Sequence, residues 1–273
     1  MLITLALLGA TALAPDQNAL KLDNDRFTYG GLGQARKKDE KFLPGDFVTL
    51  SFDAKGLNVS NTGAISYSLT FEVTRKGQAK HLLKKETPTI KRINWLGGDS
   101  LPMFVYWPIP LDSDAPGDYE MKVTVTDAQA KKSVASLSRA FTVDKPKLGF
   151  VKTTFTYPTE DGLPAPPICV AGQVVALHYS LVGFEMDKEK KTDVTLTIRV
   201  LDDKGDATTK KPFVSDLKLE SKELSAPGLM TFQPAQIELN RAGKYKVELT
   251  AKCNVSKGKE VKQVLDLTVL EVK

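Results

Sequence analysis

Ala115-Pro-Gly-Asp-Tyr-Glu-Met-Lys-Val-Thr-Val-Thr-Asp127 is the stretch whose reading decides the fold, because the chain contains it twice. The second version is Arg241-Ala-Gly-Lys-Tyr-Lys-Val-Glu-Leu-Thr-Ala-Lys-Cys253. In each, a Gly stands two residues before a Tyr, and an alternating segment follows. Tyr119, Met121, Val123 and Val125 fall on one face, and Glu120, Lys122, Thr124 and Thr126 on the other. A side-chain period of two is what a half-buried antiparallel strand requires. Tyr245, Val247, Leu249 and Ala251 keep the same phase.

Working outward, other blocks return as well. Phe27-Thr-Tyr29 returns as Phe155-Thr-Tyr157, Gly45–Leu50 as Gly172–Leu177, and Tyr67–Val73 as Val194–Val200. Tyr106 and Pro108 match Phe232 and Pro234, and Phe141-Thr-Val143 matches Leu267-Thr-Val269. The offset stays near about 127 positions, too constant for chance and too long for a solenoid unit. Units of this length bury their own cores. Many short strands with Gly/Pro punctuation favour antiparallel sandwiches. The expectation is an all-β chain of two tandem antiparallel β-sandwich domains related by internal duplication, residues 20–144 and 147–273. Asp144-Lys-Pro-Lys-Leu-Gly149 is the joint, short and polar enough to restrain orientation while leaving each unit its own core. Tyr119 and Tyr245, Leu50 and Leu177, and Phe71 and Ile198 should correspond and be buried.

The Ala/Pro-Gly-x-Tyr turn, the strand after it and the closing Phe/Leu-Thr-Val resemble the last two strands of immunoglobulin-like domains, including bacterial Ig-like and PKD-like modules of secreted proteins. The resemblance covers both halves. It implies an Ig-like sandwich in which Tyr119 and Tyr245 take the place of the tyrosine corner. The antibody core Cys is then Met121 or Val247, so the inter-sheet disulfide is absent. It also implies that Cys169 and Cys253 lie at opposite ends of their sandwich, too far apart for a bond that needs Cα atoms within about 7 Å. Similar modules serve in adhesion, glycan binding and envelope structure, and fold does not choose among these.

Met1–Ala14 is a short apolar run ending in small residues, which reads as a signal peptide, with a buried first strand as the competing role. No later segment is apolar enough to span a bilayer. With 38 basic and 33 acidic residues the net charge is +5, spread without clustering. Nucleic-acid readers concentrate basic charge, so no nucleic-acid partner is expected.

Motifs for catalysis are missing. There is no His-Glu-x-x-His, Gly-x-Ser-x-Gly, phosphate loop or Cys-x-x-Cys. Of the two His, His178 alternates outward in register with Ser51, and His81 lies in an irregular stretch. No cofactor and no enzyme activity are expected. Asp112, Asp114 and Asp118 form an acidic cluster that offers oxygen ligands to calcium, or is simply an acidic turn. Trp95 and Trp107 are the candidate binding aromatics. Matching Tyr106 to Phe232 places Tyr106 inside, so alternation turns Trp107 out. Covering a sandwich end or the joint is the competing role. The function expected is a non-catalytic exported protein, extracytoplasmic, acting as an interaction or structural module at the cell envelope. Its partner would be a protein or an envelope polymer. The alternative is a carbohydrate- or polymer-binding accessory, with a glycoside hydrolase behind it.

Overall fold

A computed structural model describes residues 19–78, 80–98, 100–111, 114–129, 133–255 and 258–272. Met1–Ala14, read as a signal peptide, and Asp112 lie outside the described residues. The first half holds β1 (Lys21–Thr28), β2 (Phe47–Lys55), β3 (Ala64–Arg75), β4 (His81–Glu86), β5 (Ile90–Ile93), β6 (Ser100–Pro108), β7 (Gly117–Asp127) and β8 (Val134–Val143). The second holds β9 (Gly149–Thr156), β10 (Ile168–Val170), β11 (Val174–Val182), β12 (Val194–Leu201), β13 (Phe213–Leu217), β14 (Leu229–Thr231), β15 (Ala235–Glu238), β16 (Gly243–Cys253) and β17 (Lys259–Leu270). The only helical turn among the described residues is a 3-10 turn, Ser221–Glu223.

Among the described residues no sheet crosses between the halves, and their strand orders correspond. In the first, β1-β2-β6 faces β4-β3-β7-β8, with β5 also on β3. In the second, β9 and β15 flank β11, facing β10-β17-β16-β12-β13. Alternation builds both cores. Met121, Val123 and Val125 are fully buried between polar neighbours on β7, as are Val247, Leu249 and Ala251 on β16. Tyr119 stands opposite Phe141, and Tyr245 opposite Leu267. β1 and β9 both bulge, at Asn24 (φ 51°) and Lys152 (φ 54°). A hydrogen bond also recurs, buried from Thr28 Oγ1 to Ser51 Oγ (2.8 Å) and part-buried from Thr156 Oγ1 to His178 Nε2 (2.9 Å).

The joint is more than its linker. Leu43, from the first half, packs with Val151, Val182 and Leu229 of the second, and Tyr29 belongs to the second half's core. Arg36 lies buried between the rings of Tyr29 and Phe42, each 4.4 Å from its guanidinium carbon. It pairs with Asp46 (2.7 Å) and Glu40 (3.0 Å), and Tyr29 donates to Glu40 (2.6 Å). Burial alone pushes the guanidinium's pKa down, but Asp46, Glu40 and Tyr29 more than offset it, so Arg36 stays charged. The second oxygen of Asp46 accepts the Lys152 N–H across the joint at 2.8 Å. Gly30 is required nearby, since a Cβ there would lie 2.0 Å from Thr154 Oγ1. The polar joint expected from Asp144–Gly149 is thus corrected to an apolar and ionic contact.

Cys169 and Cys253 are buried thiols with no disulfide between them. Cys169 stands beside Val269 and Cys253 beside Lys259, at opposite ends of β17. Those ends are separated by about 33 Å of strand.

Candidate functional site

The Gly two residues before each Tyr has a visible cause. Gly117 and Gly243 take φ of 154° and 152°, where a side chain rarely sits. A Cβ on Gly243 would lie 3.1 Å from the Tyr245 hydroxyl, and one on Gly117 would lie 3.0 Å from Arg75. The hydroxyl then reaches back four residues: Tyr119 to the Ala115 carbonyl (2.6 Å), and Tyr245 to that of Arg241 (2.9 Å). This is the tyrosine corner.

Beyond the corner the two ends diverge. In the first half Trp107 points inward and is 7% exposed, whereas Tyr106 is 54% exposed and packs on Phe47. This corrects the expectation for both. Trp107 lies 5.5 Å from the Tyr119 ring and 6.1 Å from Phe141, while Tyr119 stacks on Phe141 at 5.4 Å. The guanidinium of Arg75 covers Tyr119 and donates to the Asp114 and Pro116 carbonyls at 3.0 and 2.6 Å. Trp107 therefore closes the sandwich end. The phase error has a physical origin. Trp107 pairs with Val48, and the corresponding Val175 pairs with Ile237, not with Gln233. The second half breaks the counterpart of β6 into β14 and β15, with Pro234, which has no N–H for a ladder, just ahead of β15. The match of Tyr106-x-Pro to Phe232-x-Pro crossed that break.

At the second end Ile237 stands where Trp107 does and Leu267 where Phe141 does. A cleft of about 1170 Å³ opens there, floored by Tyr179, Ile198, Val200, Leu267 and Val269. Its rim carries Lys211, Phe213, Arg241 and Tyr245. Tyr245, expected to be buried, is half-buried, because nothing the size of Trp107 covers it. Burial on the cleft floor pushes the Tyr179 phenol up to about 12.

A second exposed feature belongs to the first half. Trp95 and Leu96 are 85% and 99% exposed at the tip between β5 and β6. The turn beneath them is tied. The Asn94 side-chain amide donates to the carbonyls of Gly97 and Gly98 at 2.8 and 2.9 Å, and its backbone N–H to Gly63 at 2.8 Å.

Of the acidic cluster, Asp114 and Asp118 are exposed. The turn already holds a cation, Arg75, on the Asp114 carbonyl, and Asp118 accepts from Thr142 at 2.8 Å. Among the described residues, no group of three His, Cys, Asp or Glu is placed to hold a metal ion. His81 is exposed beside Glu72 at 3.6 Å, far in sequence from His178, which is tied to Thr156. Composition and spacing carried no signal for the cleft. Its cause is the loss of bulk at a position that only the register reveals.

No family model and no curated protein matches the chain. Solved structures do. A red sea bream transglutaminase is similar at 10% identity, over 93% of this chain and 32% of its own, with a TM-score of 0.28. Dimeric latent PorU from Porphyromonas gingivalis is similar at 12% identity, over 97% and 21%, with a TM-score of 0.39. Escherichia coli alpha-2-macroglobulin activated by porcine elastase is similar at 11%, over 94% and 22%, with a TM-score of 0.31. The chain thus spans a third or less of each of these proteins. At such identities the likeness is one of fold alone.

Proposed function

We propose that the chain is a non-catalytic, extracytoplasmic interaction module at the cell envelope, and that the turn 94–98 is its contact point. One observation carries the reading: a hydrogen-bonded turn holds Trp95 and Leu96 almost wholly in water. Leaving two large apolar side chains wet is unfavourable, and burying them against a partner recovers about 1.5–3 kcal/mol each. Trp is enriched at the energetic centres of interfaces, and a pre-tied turn loses little entropy on binding.

A protein partner suits this turn better than a polysaccharide. Sugar stacking uses aromatic faces, and Trp107 is committed to the core while the neighbour of Trp95 is aliphatic. The titrating groups also favour a non-catalytic role. Asp23, Glu72, Asp144 and Asp193 are held below the usual carboxylate range, chiefly by hydrogen bonds from Asn24, Lys84, Lys147 and Asn254. A glycosidase acid needs the opposite shift. Export is supported by the apolar Met1–Ala14 run. Among the described residues no helix is long and apolar enough to cross a membrane.

The test is capture from an envelope extract of the source cell, run beside a glycan array. Wild type should retain a protein that the Trp95→Ala, Leu96→Ala double variant loses, and Trp95 emission should shift to the blue on binding. A glycan hit abolished by Trp95→Ala, with no protein retained, would replace this reading with the carbohydrate-binding one.

A further inference from the structure

We propose that the cleft of the second sandwich binds an extended apolar peptide segment of a partner protein, which adds as a strand to β15 and sets a carboxylate beside Lys211 and Arg241. The inference is independent of the Trp95 turn, which lies on the other half.

The wall of the cleft is a strand edge. Every residue from 233 to 240 lines it. Successive side chains of a strand point to opposite faces, so an unbroken run lines one cavity only through its backbone edge. The hydrogen-bond phase says what that edge presents. Leu239 donates to the Gln173 carbonyl at 2.9 Å, and Ile237 and Ala235 stand opposite Val175 and Leu177. In an antiparallel pair, bonding to one neighbour alternates residue by residue. Leu239, Ile237 and Ala235 therefore bond toward β11, and the N–H and C=O groups of Gln236 and Glu238 point away from it. Among the described residues β15 has no other strand neighbour. Two donors and two acceptors at strand spacing face open space, the arrangement that strand addition completes.

The other wall is also an edge. Among the described residues β13 pairs only with β12, and its Phe213 is 60% exposed where edge strands usually carry charge or Pro. An apolar side chain from the added strand enters between Ile237, Ile198 and Val200, filling the space that Trp107 fills in the first half. Charge fixes the remaining feature. Lys211 precedes β13 and Arg241 follows β15, so both stand at the Tyr245 end of the cleft. Glu238 alternates with the inward Ile237 and Leu239, which puts its carboxylate on the outer face of the sheet. Asp202 acts on Arg241 from beyond the lining, so with Lys211 the cleft end keeps a net positive charge and complements a peptide carboxylate. A fatty acid would use the floor and the cations but not the backbone edge.

The experiment titrates the isotope-labelled chain, followed by amide NMR, with nonapeptides alternating Val, Leu or Phe with Thr and ending in Asp. The same peptides ending in Asn-amide, and palmitate, are titrated alongside. The Gln236 and Glu238 amides should shift and gain about tenfold or more protection from exchange. Ile237→Trp should weaken binding by about tenfold or more, since its ring occupies the space of the entering side chain. Gln236→Pro removes one outward donor without touching the bonds to β11, and should weaken binding several-fold. The proposal is overturned if no peptide perturbs Gln236 or Glu238 at about 1 mM, a generous ceiling for a specific contact. It is overturned equally if Ile237→Trp binds like wild type, or if palmitate alone perturbs Ile198 and Val200. Equal binding of the amide-ended set would overturn the role given to Lys211 and Arg241.

Discussion

The Tyr119 end of the first sandwich and the Tyr245 end of the second are built from the same parts. Each has Gly, then Tyr, a hydroxyl bonded four residues back, and a guanidinium near the ring: Arg75 at 5.8 Å in one and Arg241 at 5.9 Å in the other. Yet one end is sealed and the other holds a cleft of about 1170 Å³. The difference lies on strands that the repeated motif does not contain. Trp107 on β6 faces Tyr119 in the first, and Ile237 holds the matching register on β15 in the second. A tyrosine corner therefore fixes the path of its own strand, while closure of the sandwich is set by the bulk arriving from the opposite sheet.

The largest expected effect separates the two tyrosines. Tyr119→Ala should destabilise the protein by about 3–5 kcal/mol, the range for losing a large core aromatic. Tyr245→Ala should cost about 1–2 kcal/mol, because its ring is already half in water. Equal losses in denaturant titrations would break the contrast between a sealed and an open end.

Next comes the assumption that the ends can be compared independently. Asp46→Ala leaves Arg36 buried without its closest partner and removes the acceptor for Lys152. A loss of about 3 kcal/mol is expected, as for breaking a buried ion pair from one side. Calorimetry should show the unfolding of both halves shifted. A shift confined to the first half would mean that the joint carries little coupling.

A smaller effect runs the other way. Ile237→Trp should stabilise the second half by about 1 kcal/mol, as cavity-filling changes do. A loss instead would show that the cleft walls have no room for the indole, and that the two ends differ in sheet spacing as well as in bulk.

The smallest effect concerns the recurring hydrogen bond under β1 and β9. Burial holds the His178 pKa below 6.5. The unfolded chain then binds the proton first, so stability is present above pH 6.5 and is lost as pH falls through the lower folded value. The corresponding Ser51 has no such dependence. His178→Ser should remove this slope between pH 7 and 5 from the melting temperature, and an unchanged slope would place the titration elsewhere.

Much of the architecture was legible because alternation leaves little freedom: a one-residue slip would expose Met121, Val123 and Val125 together. The separation of Cys169 and Cys253 was legible through the resemblance to Ig-like topology, which fixes the strand directions. Trp107 was not, because short motifs such as aromatic-x-Pro carry no register, and only pairing to β2 or β11 supplies one. Nor was the cleft, which is made by absent bulk. Arg36 was hidden for another reason. In sequence it is one more basic residue beside Lys37 and Lys38, and only the folded chain brings Asp46, Glu40 and two aromatic rings around it. The exposure of Trp95 was legible because a Trp between Asn94 and the pair Gly97-Gly98 belongs to a turn.

The Asp46 carboxylate, with one oxygen on Arg36 and the other on the Lys152 amide, has a consequence for valency. It ties the two halves together at a second point beside the linker. A partner that grips the Trp95 turn and also feeds a strand into the second cleft would meet the two footholds at a set span. Two individually feeble contacts would then multiply, with no flexible tether to dilute the second. A partner of the wrong reach would gain nothing from having both, so a stiff joint would select partners by length.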